Sequence, residues 1–156
     1  MPASFLFYDL ETYGTDPRRS RIAQFAAIRT DLALKPIEDP YDFLVRPADD
    51  LLPSPTATLI TGIAPQHALH AGIPEAEAFA RIFEAMSVPE TCTLGYNSLR
   101  FDDEFVRYGL FRNFHDPYER EWRGGNSRWD LLDVMRLAHA LRPEGIIWPR
   151  REDGAT

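Results

Sequence analysis

Phe5-Leu6-Phe7-Tyr8-Asp9-Leu10-Glu11-Thr12 decides the fold. A short apolar run reaches two carboxylates at positions i and i+2, then a threonine, with Gly14 close behind. Apolar residues fall on both faces of residues 5–8, the pattern of a central strand covered on two sides. Residues two apart on a strand point the same way, so Asp9 and Glu11 project side by side from the strand end. Two like charges held that close are costly unless a cation or a proton sits between them. The pair therefore points to a metal site, although an Asp-x-Glu at a strand end also reads as a solvated edge or a helix cap.

Outward from this strand, residues 4–11 are the first of several elements. Residues 14–20 are turn-rich, and 22–30 form a second strand despite their alanines, because the Thr30-Asp31 stop and the length suit a strand. Residues 41–45 form a third, and the short connections predict an antiparallel meander. After a proline-rich segment, short helices are predicted over 56–61 and 65–70, closing on Gly62 and Gly72. Ala76, Phe79, Ala80, Ile82 and Phe83 recur at three- and four-residue spacing, which predicts an amphipathic helix over 75–86 that Pro89 ends. A fourth strand is read at 92–96. A helix over 101–113 opens with Asp102, Asp103 and Glu104, acids that suit the helix dipole. Residues 115–128 are a polar, aromatic-bearing excursion, 129–141 a further helix, and 150–156 a mobile polar tail.

The 156 residues and their 44% hydrophobic content predict one domain with a real core. No apolar run approaches the ~20 residues of a membrane helix. The N-terminus has no basic-then-apolar leader pattern. The single Cys92 cannot form an internal disulfide, which predicts a reducing, cytoplasmic setting, and the lack of a membrane-length apolar run predicts no membrane partner. The net charge of −7 argues against a nucleic-acid partner, but the charge is uneven: residues 1–99 carry 7 basic and 13 acidic groups, residues 100–151 carry 10 Arg and 9 acids.

Asp102 is the candidate third carboxylate. It follows the fourth strand near a helix start, much as Asp9 and Glu11 end the first. Acids gathered at the ends of neighbouring strands suit hard cations such as Mg²⁺ or Mn²⁺. Two such ions about 3.5–4 Å apart can activate water and steady a leaving oxygen in phosphodiester hydrolysis.

Asp9-Leu10-Glu11-Thr12 resembles the first motif of the DEDD 3′→5′ exonucleases, an RNase H-like family, and Asn97-Ser98-Leu99-Arg100-Phe101-Asp102 resembles the second. Residues 25–31, 59–63, 95–97, 100–104, 126–136 and 141–146, with Trp148-Pro149 after them, are similar in order to the bacterial exodeoxyribonuclease I branch, over about residues 5–154. The resemblance implies an α/β, RNase H-like mixed sheet, an antiparallel three-strand meander plus a parallel strand with flanking helices. It implies a 3′→5′ exonuclease of single-stranded DNA, with catalytic Asp9, Glu11 and Asp102, metal at Asp9 and Glu11, and Leu10, Glu11 and Thr12 at the 3′ end of the substrate. Arg107, Tyr118, Trp122 and Arg136 take the positions of single-stranded DNA contacts. Bottom-up, Arg107 lies about one and a half helical turns beyond Asp102 and could meet a phosphate, and Tyr118 and Trp122 could stack on bases. Tyr118 and Trp122 also read as staples of the excursion, and Arg136 as a solvated residue or a partner of Asp133.

The family pattern requires a third motif, a histidine base followed by an aspartate, and the sequence reaches Thr156 without it. Among His67, His70, His115 and His139, two have a Glu five residues on, His70 with Glu75 and His139 with Glu144, but neither has an Asp there, and His139 reads as a helix-surface residue. The expectation is a partial exonuclease domain, weakly active or inactive alone, whose two-metal Mg²⁺ (or Mn²⁺) site an absent Asp would complete. A single-stranded DNA-binding protein is a partner expected only through later domains. The competing expectation is a non-catalytic module that holds single-stranded DNA or a partner protein.

Overall fold

The computed structural model describes residues 1–142 and 144–145. Strands β1 (Ser4–Thr12), β2 (Ile22–Thr30), β3 (Tyr41–Leu44), β4 (Thr91–Gly95) and β5 (Ser127–Asp130) form one sheet in the order β3-β2-β1-β4-β5. The first three strands are the expected antiparallel meander, while β4 and β5 run parallel to β1. Helices α1 (Pro55–Thr61), α2 (Pro65–Ala71), α3 (Glu75–Ser87), α4 (Asp102–Arg112), α5 (Glu119–Trp122) and α6 (Leu131–Leu141) complete the described elements.

Period-two alternation sorts β1. Leu6, Tyr8 and Leu10 are buried, and their β2 partners Arg29, Ala27 and Phe25 share their face. On this face lie Phe79, Ile82 and Met86 of α3 and Phe105, Val106 and Leu110 of α4. Gly109 lets α4 approach α3: a Cβ there would stand 1.9 Å from Cζ of Phe79. That contact fixes the height of α4, and so of Asp102 at its start, above the sheet.

The other face departs from expectation. Residues 5–8 suggest cover on both sides, yet Phe5 and Phe7 are only half-buried. The start of α6 approaches this face, where Leu131 lines one cleft with Phe7, Ile28 and Leu94, and Leu131 and Val134 line another with Phe5 and Cys92. No residue of α6 is itself buried. The sequence pattern registers an apolar face but not whether anything covers it.

Other boundaries shift for local reasons. Residues 127–130 are a strand, not the end of the excursion and the start of a helix. Asp130 instead caps α6, its Oδ1 accepting from the Leu132 N–H at 2.9 Å, so the helix begins at Leu131. The excursion holds the single turn α5. β4 begins one residue early, at Thr91. The expected tail at 150–156, and the similarity at residues 146–149, lie outside the described residues. No described helix is long and apolar enough to cross a membrane.

Candidate active site

The last β4 partner of β1 is Phe7, opposite Leu94, so residues 8–12 run past the end of β4 beside its outgoing loop. This is where the parallel strands end, the usual place for a site in such sheets. The loop turns back sharply. Asn97 adopts a left-handed conformation (φ 58°), and a Cβ on Gly95 would stand 2.5 Å from that of Ser98. Asp130, buried beneath the turn, accepts from the Asn97 N–H at 2.8 Å and the Leu99 N–H at 3.2 Å. The chain then enters α4, whose first residue is Asp102.

This places Asp102, 6% exposed, against the end of β1. Burial and the neighbouring Asp9 push its carboxyl from 3.8 up to about 7, with a smaller push from Glu11, while the backbone N–H groups of Asp102 and Leu10 oppose the rise. Burial and Asp9 also raise Glu11. None of the ion pairs among the described residues involves Asp9, Glu11 or Asp102. Three coupled carboxylates without a cationic partner form an all-oxygen donor set suited to a hard dication. Among the described residues, no three His, Cys, Asp or Glu side chains converge on one ligating point. The acids are thus electrostatic neighbours rather than a closed cage.

The other expected positions divide. Thr12 is buried and its hydroxyl donates to the Gly14 carbonyl at 2.8 Å; the Leu10 side chain lies in the core. Any contact they make with a substrate falls to their backbone. Arg107 is not a free cation. Glu104 holds its guanidinium at two points, one at 3.2 Å, and Nη1 donates to the Tyr118 hydroxyl at 3.3 Å. Tyr118 and Trp122 are well exposed on the excursion, Trp122 at 68%, with its indole N–H donating to Asp116 at 3.3 Å. Arg136 pairs with Asp133 at 3.5 Å, midway along α6.

Two features escape sequence reading. Asp103 is only 2% exposed and is held by Arg120 of α5 and Arg128 of β5. In sequence it looks like one more first-turn acid; the signal was a second acid directly after a candidate ligand. The other is a cleft of about 840 Å³ lined by Arg107, Tyr108, Phe111, Phe114, Pro117 and Tyr118. Phe114 occupies the left-handed position after α4 (φ 63°), where glycine is usual, and is 98% exposed.

A family model described as "Exonuclease" matches residues 6–153. The chain belongs to the exonuclease family. It is 57% identical over 152 residues to exodeoxyribonuclease I of Escherichia coli (strain K12), a match covering 97% of this chain and 32% of that protein. An Exonuclease I structure from Methylocaldum szegediense aligns with TM-score 0.93 and 60% identity, covering 97% of this chain and 32% of that one. The E. coli Exonuclease I structure in complex with a dT13 oligonucleotide gives 0.93 and 57%, covering 97% and 33%. An ExoI/SSB-Ct complex gives 0.94 and 56%, covering 99% and 34%. This member of the exonuclease family spans about a third of the length of these relatives. The mixed sheet expected from the resemblance is the fold these structures share.

Proposed function

We propose that this chain carries the metal-acid part of a 3′→5′ exonuclease acting on single-stranded DNA. The observation that carries the proposal is the burial of Asp102 beside Asp9 and Glu11, with no ion pair among the described residues to offset the three carboxylates, in a chain that matches the exonuclease family. Asp9, Glu11 and Asp102 would hold Mg²⁺ or Mn²⁺, in a two-metal site that a further Asp completes. Bound there, the ions would supply an activated water and charge neutralisation at the scissile phosphate. The chain's own residues bind and orient. Glu11 and the backbone around Leu10 and Thr12 meet the terminal nucleotide, Arg107 reaches a phosphate by exchanging its Glu104 contacts, Tyr118 and Trp122 stack on bases, and Arg136 lies further along the strand. No histidine is among the groups that perturb Asp102 or Glu11, so these residues offer three of the four acids and no base. Assayed by themselves they are expected to be weakly active or inactive. A single-stranded DNA-binding protein as partner, reached through later domains, is supported by the ExoI/SSB-Ct complex, and a cytoplasmic setting by the single free Cys92.

A second reading, a module that binds single-stranded DNA without cleaving it, is favoured by the lack of a closed ligand cage among the described residues. One experiment separates them: a 5′-labelled dT oligonucleotide incubated with the chain and Mn²⁺. Slow shortening from the 3′ end, lost on Asp9→Ala, supports the nuclease. Binding with no shortening at any concentration supports the second reading. Absence of binding overturns both, and rapid processive degradation contradicts the expected weakness.

A further inference from the structure

We propose that Asp103 is a positioning residue that locks the metal acids and the base-stacking excursion into one geometry, so that divalent cation and single-stranded DNA bind cooperatively. This rests on the functional reading above and adds the element that joins its two halves.

Asp102 and Asp103 are consecutive in the first turn of α4, about 100° apart around the helix. Asp102 turns to Leu10 and Asp9. Asp103 turns the other way, its Oδ1 accepting from Nη2 of Arg120 at 2.9 Å and its Oδ2 from Nη1 of Arg128. Arg120 is 4% exposed and its Nε has no partner, so the Asp103 carboxylate is the charge that anchors it. Arg120 lies midway between Tyr118 and Trp122. Two residues are about 200° around a helix, so Arg120 faces inward while both aromatics face out. Arg128 closes the circuit, its Nε pairing with Glu121 of the same turn at 2.7 Å. The ends of the excursion are tied to the domain by His115 stacked on Phe83 and by Asn126, which bonds to Met86, Val88 and Thr91, while α5 between them is four residues long, too short to persist unaided.

The backbone step from Asp103 to Asp102 is rigid helix. A shift of the excursion is therefore passed to the metal acid, and ordering either site orders the other. Two ligands that share one ordering cost bind with positive coupling.

The test is Mn²⁺ affinity by electron paramagnetic resonance, with and without saturating dT oligonucleotide, and oligonucleotide affinity from Trp fluorescence. The parent chain is expected to bind Mn²⁺ at least about fivefold more tightly with oligonucleotide present. Asp103→Asn is expected to bring that ratio near one. Removing the charge between two arginines threatens folding, so Arg128→Gln, at a side chain 26% exposed, is the second variant, and Arg128→Lys should restore the coupling. Lost coupling with each ligand still binding separately supports the proposal. A purely structural role would lower the melting temperature and leave the ratio unchanged; an unchanged ratio in both variants overturns the proposal. A parent chain that binds both ligands without coupling overturns it while leaving the functional reading intact. A parent chain that binds neither overturns both.

Discussion

Replacing Asp102 by Asn should make the chain more stable at pH 8 in the absence of divalent cation, while removing a ligand. Folding buries the Asp102 carboxyl beside Asp9 and Glu11 and raises it from 3.8 to about 7. Because the folded value is the higher one, the stability from this group is fully present below about pH 4 and is lost as pH rises through about 7. At ~1.4 kcal/mol per pH unit, the ionised form carries a penalty of about 4 kcal/mol at pH 8. Solvent at the rim of the site screens part of this, and Asn keeps an oxygen for the backbone N–H groups but brings an NH₂ that needs a partner. About 2 kcal/mol of gain remains, which for a chain of this size is roughly 4–8 °C in melting temperature. Circular-dichroism melts in EDTA at pH 8 and pH 5 measure it. At pH 5 the folded carboxyl is mostly protonated but the unfolded one is largely ionised, so the difference should shrink to roughly 40% of its pH 8 value. A variant that melts lower than the parent at pH 8, or a difference equal at both pH values, would refute the electrostatic account of the site.

Three further outcomes follow from other parts of the structure. Arg29 is buried, pairs with Glu38 at 2.9 Å and donates to Ser4, Thr91 and the Ala85 carbonyl; Arg29→Ala strands these groups and should cost about 3–5 kcal/mol by urea unfolding. Gly109→Ala places a methyl on the Phe79 ring and should cost about 1–3 kcal/mol, read as a lower melting temperature; an unchanged melt would show that α3 and α4 are not tightly packed there. Trp122→Ala removes an exposed ring and should weaken dT oligonucleotide binding roughly 5- to 150-fold in a filter-binding assay while leaving the melting temperature within a degree or two.

Much of this was legible in the sequence because it rests on local pattern. The alternation in β1, the 22–30 strand and the three- and four-residue spacing of α3 each follow from one periodicity, and the structure places these elements as expected. The placement of Asp9, Glu11 and Asp102 at neighbouring strand ends was legible for the same reason. What escaped depends on tertiary context. β5 is four residues long and polar, so no pattern separates it from the excursion; only Asp130 before a leucine-rich run marked where α6 starts. Arg107 at three residues from Glu104 could have been paired from spacing alone, and reading it as a free phosphate ligand overlooked that. The burial of Asp103 between two arginines from distant segments cannot be read from local pattern, because first-turn acids usually face water; a second acid directly after Asp102 is its one local mark.

The central claim is that Asp9, Glu11 and Asp102 together form a divalent-cation site. Mn²⁺ titration followed by electron paramagnetic resonance at pH 8 tests it directly. Saturable binding by the parent chain that weakens at least about tenfold in both Asp9→Ala and Asp102→Asn, each variant still folded, is the predicted result. Mn²⁺ binding that is absent in the folded parent chain, or unchanged in both variants, would contradict it.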